Sequence, residues 1–241
     1  MLKYHVENEE KDKAVIWITG AGISHWMWEN QMILPYKHIL FDLPGHGENA
    51  DVSFVSISST VNDIRDIMKA EGIDKAVFIG HSIGAQTVMH ILEHESQMVD
   101  KAVVISGLNK PMAWMNFMIG PMISMSMPLV KNKSFSKLQG AQLSLPDDMF
   151  ERYYEDSLKL SKTTLKNIMR ENLSFKFSGT TLDGNNICFI YGSKEKGIMI
   201  SSALKNHQLV KDSQLIKLKA AHGIPYEVPE EINRIIEDVI G

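Results

Sequence analysis

At 241 residues, 44% hydrophobic and 22% charged, the chain has the make-up of one ordinary globular domain with an insertion. Its 25 Lys and Arg against 29 Asp and Glu give a net charge of −4, with no basic block to grip nucleic acid and no solvating acidic tail. The single cysteine, Cys188, excludes an intramolecular disulfide and any multi-cysteine zinc site.

The first ten residues are polar and acidic and lack the apolar core and small-residue cleavage site of a secretory signal, so a cytoplasmic protein is expected. Ala14 to Thr19 is an apolar β-rich run, read as a buried strand that ends at Gly20-Ala21-Gly22. His38 to Asp42 is a second strand, stopped by the turn-rich Leu43-Pro44-Gly45-His46-Gly47. Val61, Ile64, Ile67 and Met68 recur at helical spacing across 57–71. A third strand, Lys75 to Gly80, runs straight into His81-Ser82-Ile83-Gly84 and a helix reaching about His94, and Lys101 to Ser106 is a fourth. Strands resume at Asn186 to Tyr191 and Gln214 to Leu218, separated by a helix over 198–210, and an amphipathic helix closes the chain from Pro229 to Ile240. Strands alternating with helices predict an α/β fold with a mostly parallel sheet and helices on both faces.

Between the fourth and fifth of these strands lies a long stretch without a clear strand. The expected organisation is a core of 1–108 and 182–241 interrupted by a helical cap, or lid, over 109–181. Within it, Pro111 to Val130 runs for 20 residues without a charge, long enough to raise the question of a membrane span. Pro111, Gly120, Pro121 and Pro128 are expected to interrupt any single helix there, so an apolar lid is the preferred reading. An esterase attached to a membrane through 111–130 is the alternative.

Gly80-His81-Ser82-Ile83-Gly84 has the form G-x-S-x-G between a strand and a helix. Lifting a serine hydroxyl above a sheet requires a sharp, strained bend with no side chain two residues either side. Ser82 is the candidate nucleophile, and a serine needs a base to take its proton. His222, a few residues beyond the last strand, is the candidate base. Glu195, just past the strand ending at Tyr191 and 27 residues before His222, is the candidate acid that orients the imidazole. Residues 107–113 contain no carboxylate, and Asp183 and Asp212 lie at the wrong strand ends. The oxyanion hole is assigned to the backbone N–H groups of Ile83 and Ala21. Gly22, Trp114, Met115 and Met118 are the expected substrate contacts, the last three as part of a flexible, Met-rich cap surface.

These motifs, in this order, resemble the α/β-hydrolase fold family, within its compact esterase, C–C hydrolase and haloperoxidase-like group. The resemblance extends over nearly the whole chain. It rests on Gly20–Gly22 with Trp26 and Trp28 downstream, Asp42 to Gly47, Gly80 to Gly84, Gly192 to Glu195, and His222-Gly223 ahead of Glu227 and Pro229. Thr19 stands where relatives usually carry histidine, and Glu195 where they more often carry aspartate. The resemblance implies a cap over 109–181, and a serine at position 82 argues against dehalogenase or epoxide hydrolase chemistry. The expected activity is hydrolysis of a small or medium apolar carboxylic ester, with no metal or organic cofactor. Thioesters, lactones and C–C bonds beside a carbonyl remain open because they share the same intermediates, as does a ligand-sensing protein on a hydrolase scaffold. The expected partner is a small ester-like molecule, with no nucleic acid, with a membrane disfavoured and with the oligomeric state open.

Overall fold

A computed structural model describes residues 1–241. Seven strands form one sheet: β1 (Tyr4–Glu7), β2 (Ala14–Ile18), β3 (Lys37–Phe41), β4 (Ala76–His81), β5 (Val99–Ile105), β6 (Ile187–Gly192) and β7 (Gln214–Leu218). Their order is β1-β3-β2-β4-β5-β6-β7, parallel throughout except for β1, which runs antiparallel to β3 with Tyr4 opposite Phe41. The sequence reading anticipates six of these strands and misses β1. That strand is four residues of alternating half-buried and exposed side chains at a sheet edge, too short and too polar to stand out.

The central strands are buried on both faces, which explains their continuous apolar runs. Side-chain alternation divides them between two cores. Ile16, Ile18, Phe78, Val104 and Phe189 face one side, covered by α1 (Ile57–Ala70) and α2 (Ile83–His94) through Val61, Ile64, Val88 and Leu92. Val15, Trp17, Ile79, Val103, Cys188 and Ile190 face the other, covered by Ile232, Ile236 and Val239 of the C-terminal helix (Pro229–Ile240). Burial pushes the Cys188 thiol up to about 12. Ser56 caps α1 reciprocally with Ser59, and Pro229 opens the C-terminal helix at a position that needs no N–H.

Residues 109–181 contain α3 (Asn116–Ser126), α4 (Lys133–Gln142), α5 (Phe150–Lys159) and α6 (Lys162–Ser174), with short 3-10 turns before α3 and between α3, α4 and α5. The uncharged stretch is broken into turn, helix and turn, but Pro121 does not end α3 as expected. Pro121 removes the N–H that would bond the Phe117 carbonyl, and the helix continues past it. No helix is long and apolar enough to cross a membrane. The second half of this segment is tied to the rest of the molecule. Glu171 of α6 accepts the Ile57 N–H at 2.8 Å, and Asn167 donates to the Phe54 carbonyl at 2.9 Å. On α5, Asp156 accepts the buried Trp26 indole N–H at 2.7 Å, and the Arg152 guanidinium lies 4.6 Å over the same ring while pairing with Glu29.

Candidate active site

β2 has β3 on one side and β4 on the other, so the chain reverses its winding at this strand, and the loops beyond β2 and β4 open a crevice there. Ser82 stands at the end of β4 with φ 57° and ψ −113°. A non-glycine residue in such a conformation costs about 1–3 kcal/mol and persists only where its surroundings impose it. The surroundings do so here. A side chain on Gly84 would put its Cβ 2.6 Å from the Thr19 carbonyl oxygen, and one on Gly80 would approach the Ala85 nitrogen to 2.8 Å. The Ser82 N–H donates to the Ile105 carbonyl at 3.0 Å, locking the bend to β5.

His222 Nε2 lies 3.2 Å from Ser82 Oγ, and its Nδ1 lies 2.7 Å from Glu195 Oε1. A carboxylate can only accept, so the Nδ1 carries the proton and the Nε2 lone pair faces the serine hydroxyl. The Glu195 side chain is 1% exposed, unlike a solvated turn glutamate, and its Oε2 accepts the Gly192 N–H at 2.9 Å. Two further backbone bonds, Ser193 N–H to Leu218 and Lys194 N–H to Ala220, lash this turn to the β7 end. On the far side of His222, Glu227 accepts the Ala221 and Gly223 N–H groups at 3.0 and 2.9 Å, gripping the histidine loop from both flanks.

The Ile83 and Ala21 N–H groups have no acceptor within the protein, while the Gly22 N–H donates to His46 Nε2 at 3.0 Å. That bond assigns the His46 proton to Nδ1, which donates to Pro44, and burial holds this ring below the usual histidine range. His46 therefore props the β2 turn. His81 is buried too, and burial together with repulsion from His222 pushes it down to about 3. Its neutral ring donates from Nε2 to the His222 backbone carbonyl at 2.7 Å.

Beside Ser82 and His222 is a cavity of about 20 Å³, room for about one water, lined on its apolar side by Ile23, Met27, Leu143 and Tyr226. A second space of about 560 Å³ opens beyond Leu143, bordered by Gln142, Met199, Lys194, Lys196 and His222. Trp114, Met115 and Met118, the expected substrate contacts of this segment, are not among the residues that line either space. They sit at the start of α3, which packs on α6, and Trp114 is 71% exposed. Gly22 stands at the same turn as Ala21, with its N–H given to His46. Tyr226, Ile23 and Met27 follow His222 and the Gly20–Gly22 turn closely enough in sequence to have been found; Leu143 had no such signal. No group of three or more His, Cys, Asp or Glu side chains is arranged to hold a metal ion.

The profile of the alpha/beta hydrolase fold family matches residues 13–176. The chain belongs to that family. A hydrolase from Pseudomonas aeruginosa PA01 superposes on this α/β-hydrolase with a TM-score of 0.83 at 15% identity, covering 99% of this chain and 93% of that one. Among curated relatives, 3-oxoadipate enol-lactonase 1 of Acinetobacter baylyi is 28% identical over 91 residues, and Esterase YbfF of Escherichia coli is 36% identical over 74. These matches span 36% and 31% of this α/β-hydrolase, and only 34% and 29% of the relatives' own lengths.

Proposed function

We propose that the protein is a serine hydrolase that cleaves small or medium apolar carboxylic esters through an acyl-enzyme on Ser82. The observation that carries this reading is the continuous relay of 3.2 Å from Ser82 to His222 and 2.7 Å from His222 to Glu195, built around a strained serine. Ser82 Oγ attacks the ester carbonyl as its proton passes to His222 Nε2. The resulting oxyanion takes hydrogen bonds from the Ala21 and Ile83 N–H groups, each worth about 10²–10³ in rate in comparable sites. Collapse breaks the C–O bond, with His222 returning the proton to the departing alcohol. His222 then takes a proton from water, hydroxide adds to the acyl carbon, and the acid leaves as Ser82 recovers its proton. Glu195 stays ionised and steadies the imidazolium.

The apolar lining and small volume beside Ser82 favour a compact, uncharged acyl group. Leu143 borders both spaces, so moving its side chain would join them. In this reading residues 109–181 are the cap, with Leu143 as its contact to the reaction centre. The stretch of similarity to an enol-lactonase makes cyclic esters the second substrate class to test.

Treatment with a fluorophosphonate probe, followed by mapping of the labelled peptide, tests the assignment. Rapid labelling at Ser82, with turnover of p-nitrophenyl esters lost in Ser82→Ala, is the expected result. Absence of labelling, or Ser82→Ala turnover equal to the parent, overturns it.

A further inference from the structure

We propose that the outer face of α3 docks this protein on an anionic lipid surface. Trp114, Phe117 and Met125 are 71%, 73% and 73% exposed, and Met118, Met122 and Leu129 extend the same face. Met118, Met122 and Met125 recur at i, i+4 and i+7, so they form one stripe with Phe117 beside it. The buried side chains of the helix, Ile119 and Ile123, lie on the opposite side. An apolar face of this kind, kept in water without a partner inside the molecule, marks an interaction surface.

Charge selects the occupant. From residue 101 to 146 the sequence has five lysines and no aspartate or glutamate. Lys133 and Lys137 are paired with Glu151 and Asp147, but Lys110 and Lys131, which bracket the apolar stretch, have no carboxylate partner. Residues 109–181 hold ten Lys and Arg against six Asp and Glu, while the rest of the chain holds fifteen against twenty-three. An anionic surface therefore attracts this segment and repels the remainder, which orients the molecule with α3 toward the lipid. A second copy meeting the same face would set Lys110 and Lys131 against a stretch without a carboxylate. At eleven residues, α3 is about 16 Å long, about half the hydrocarbon thickness, so it lies along the interface and does not span it.

Flotation with phosphatidylglycerol and with phosphatidylcholine vesicles tests the proposal. The expected result is binding to phosphatidylglycerol about thirty-fold tighter than to phosphatidylcholine, from two unpaired lysines, and weakening as salt is added. Lys110→Gln with Lys131→Gln should remove that preference. Phe117→Ser with Met125→Ser should abolish binding to both vesicles while hydrolysis of a water-soluble ester stays unchanged. No binding to either vesicle overturns the proposal. So does a concentration-dependent dimer that the Phe117→Ser, Met125→Ser variant dissolves, because that outcome gives the face to a second copy.

Discussion

His81 donates its Nε2–H to the backbone carbonyl of His222 at 2.7 Å, joining the residue before the proposed nucleophile to the loop of the proposed base. The two rings lie 4.8 Å apart, and burial prevents His81 from charging beside its neighbour. We therefore assign His81 a positioning role. His81→Phe keeps a planar ring but removes the donor, and should lower kcat about 10- to 100-fold with KM little changed. His81→Gln, which can still donate at similar reach, should restore much of the loss. Steady-state kinetics of the two variants decide between positioning and simple packing, since a packing role would not be rescued by glutamine.

Glu195→Gln probes the tautomer. The carboxylate obliges His222 Nδ1 to carry the proton, whereas a carboxamide can turn its NH₂ toward that nitrogen and leave the proton facing Ser82. The kcat should fall by about 10²- to 10⁴-fold while fold and substrate binding persist. Near-parent rates would move the acid elsewhere.

How much of this was legible from the residues differs from element to element. The sheet was readable because strands buried on both faces are continuous apolar runs, and the bend at Ser82 because close backbone packing admits glycine alone at positions 80 and 84. β1 escaped because an edge strand buries only alternate side chains and this one has four residues. Composition made 111–130 apolar but could not say which way each residue points. Trp114 and Met118 face outward, whereas Leu143, just after α4, lines the cavity beside Ser82 and His222. Direction within that segment depends on helix packing, to which local sequence is blind. The part played by His81 was likewise hidden, because the G-x-S-x-G pattern leaves its position open.

Gly84→Ala tests the bend itself. The added methyl would be driven into the carbonyl oxygens of Ile18 and Thr19, which are held in β2 and its turn and cannot withdraw cheaply. A loss of more than about 4 kcal/mol, or failure to fold, is expected from such overpacking against backbone. Chemical denaturation or the soluble yield checks it, and a stability near that of the parent would show that the turn can relax.

Stability should fall on acidification for a specific reason. His38, His46 and His81 are all held below the ordinary histidine value, primarily by burial, His81 to about 3. On unfolding they return to about 6.5, so between these values the unfolded chain binds more protons and stability drops as pH falls. His25 acts with the opposite sign. Its hydrogen bond to Asp42 raises it, so its contribution is complete below the unfolded value and is lost as pH rises through the higher folded one. Urea unfolding across a pH series should show the acid decline in the parent and in His25→Gln alike. Only the alkaline decline should shrink in that variant.

The bond between Trp26 and Asp156 offers a handle on the proposed cap. It is buried, 2.7 Å long, and joins α5 to the turn that follows β2. Asp156→Leu strands the indole N–H without an acceptor, at a cost of about 1–3 kcal/mol. Because α5 is the element released, the loss should appear as faster protease cleavage within 109–181 before any cleavage of the sheet. Trp26→Phe in the same background removes the stranded donor too, so the double variant should be more stable than the two single costs together would give. Thermal melts of the four proteins in that cycle measure the coupling. Strict additivity would mean that Asp156 and Trp26 do not hold the segment down, and cleavage that begins in the sheet would place the weakest part of the molecule elsewhere.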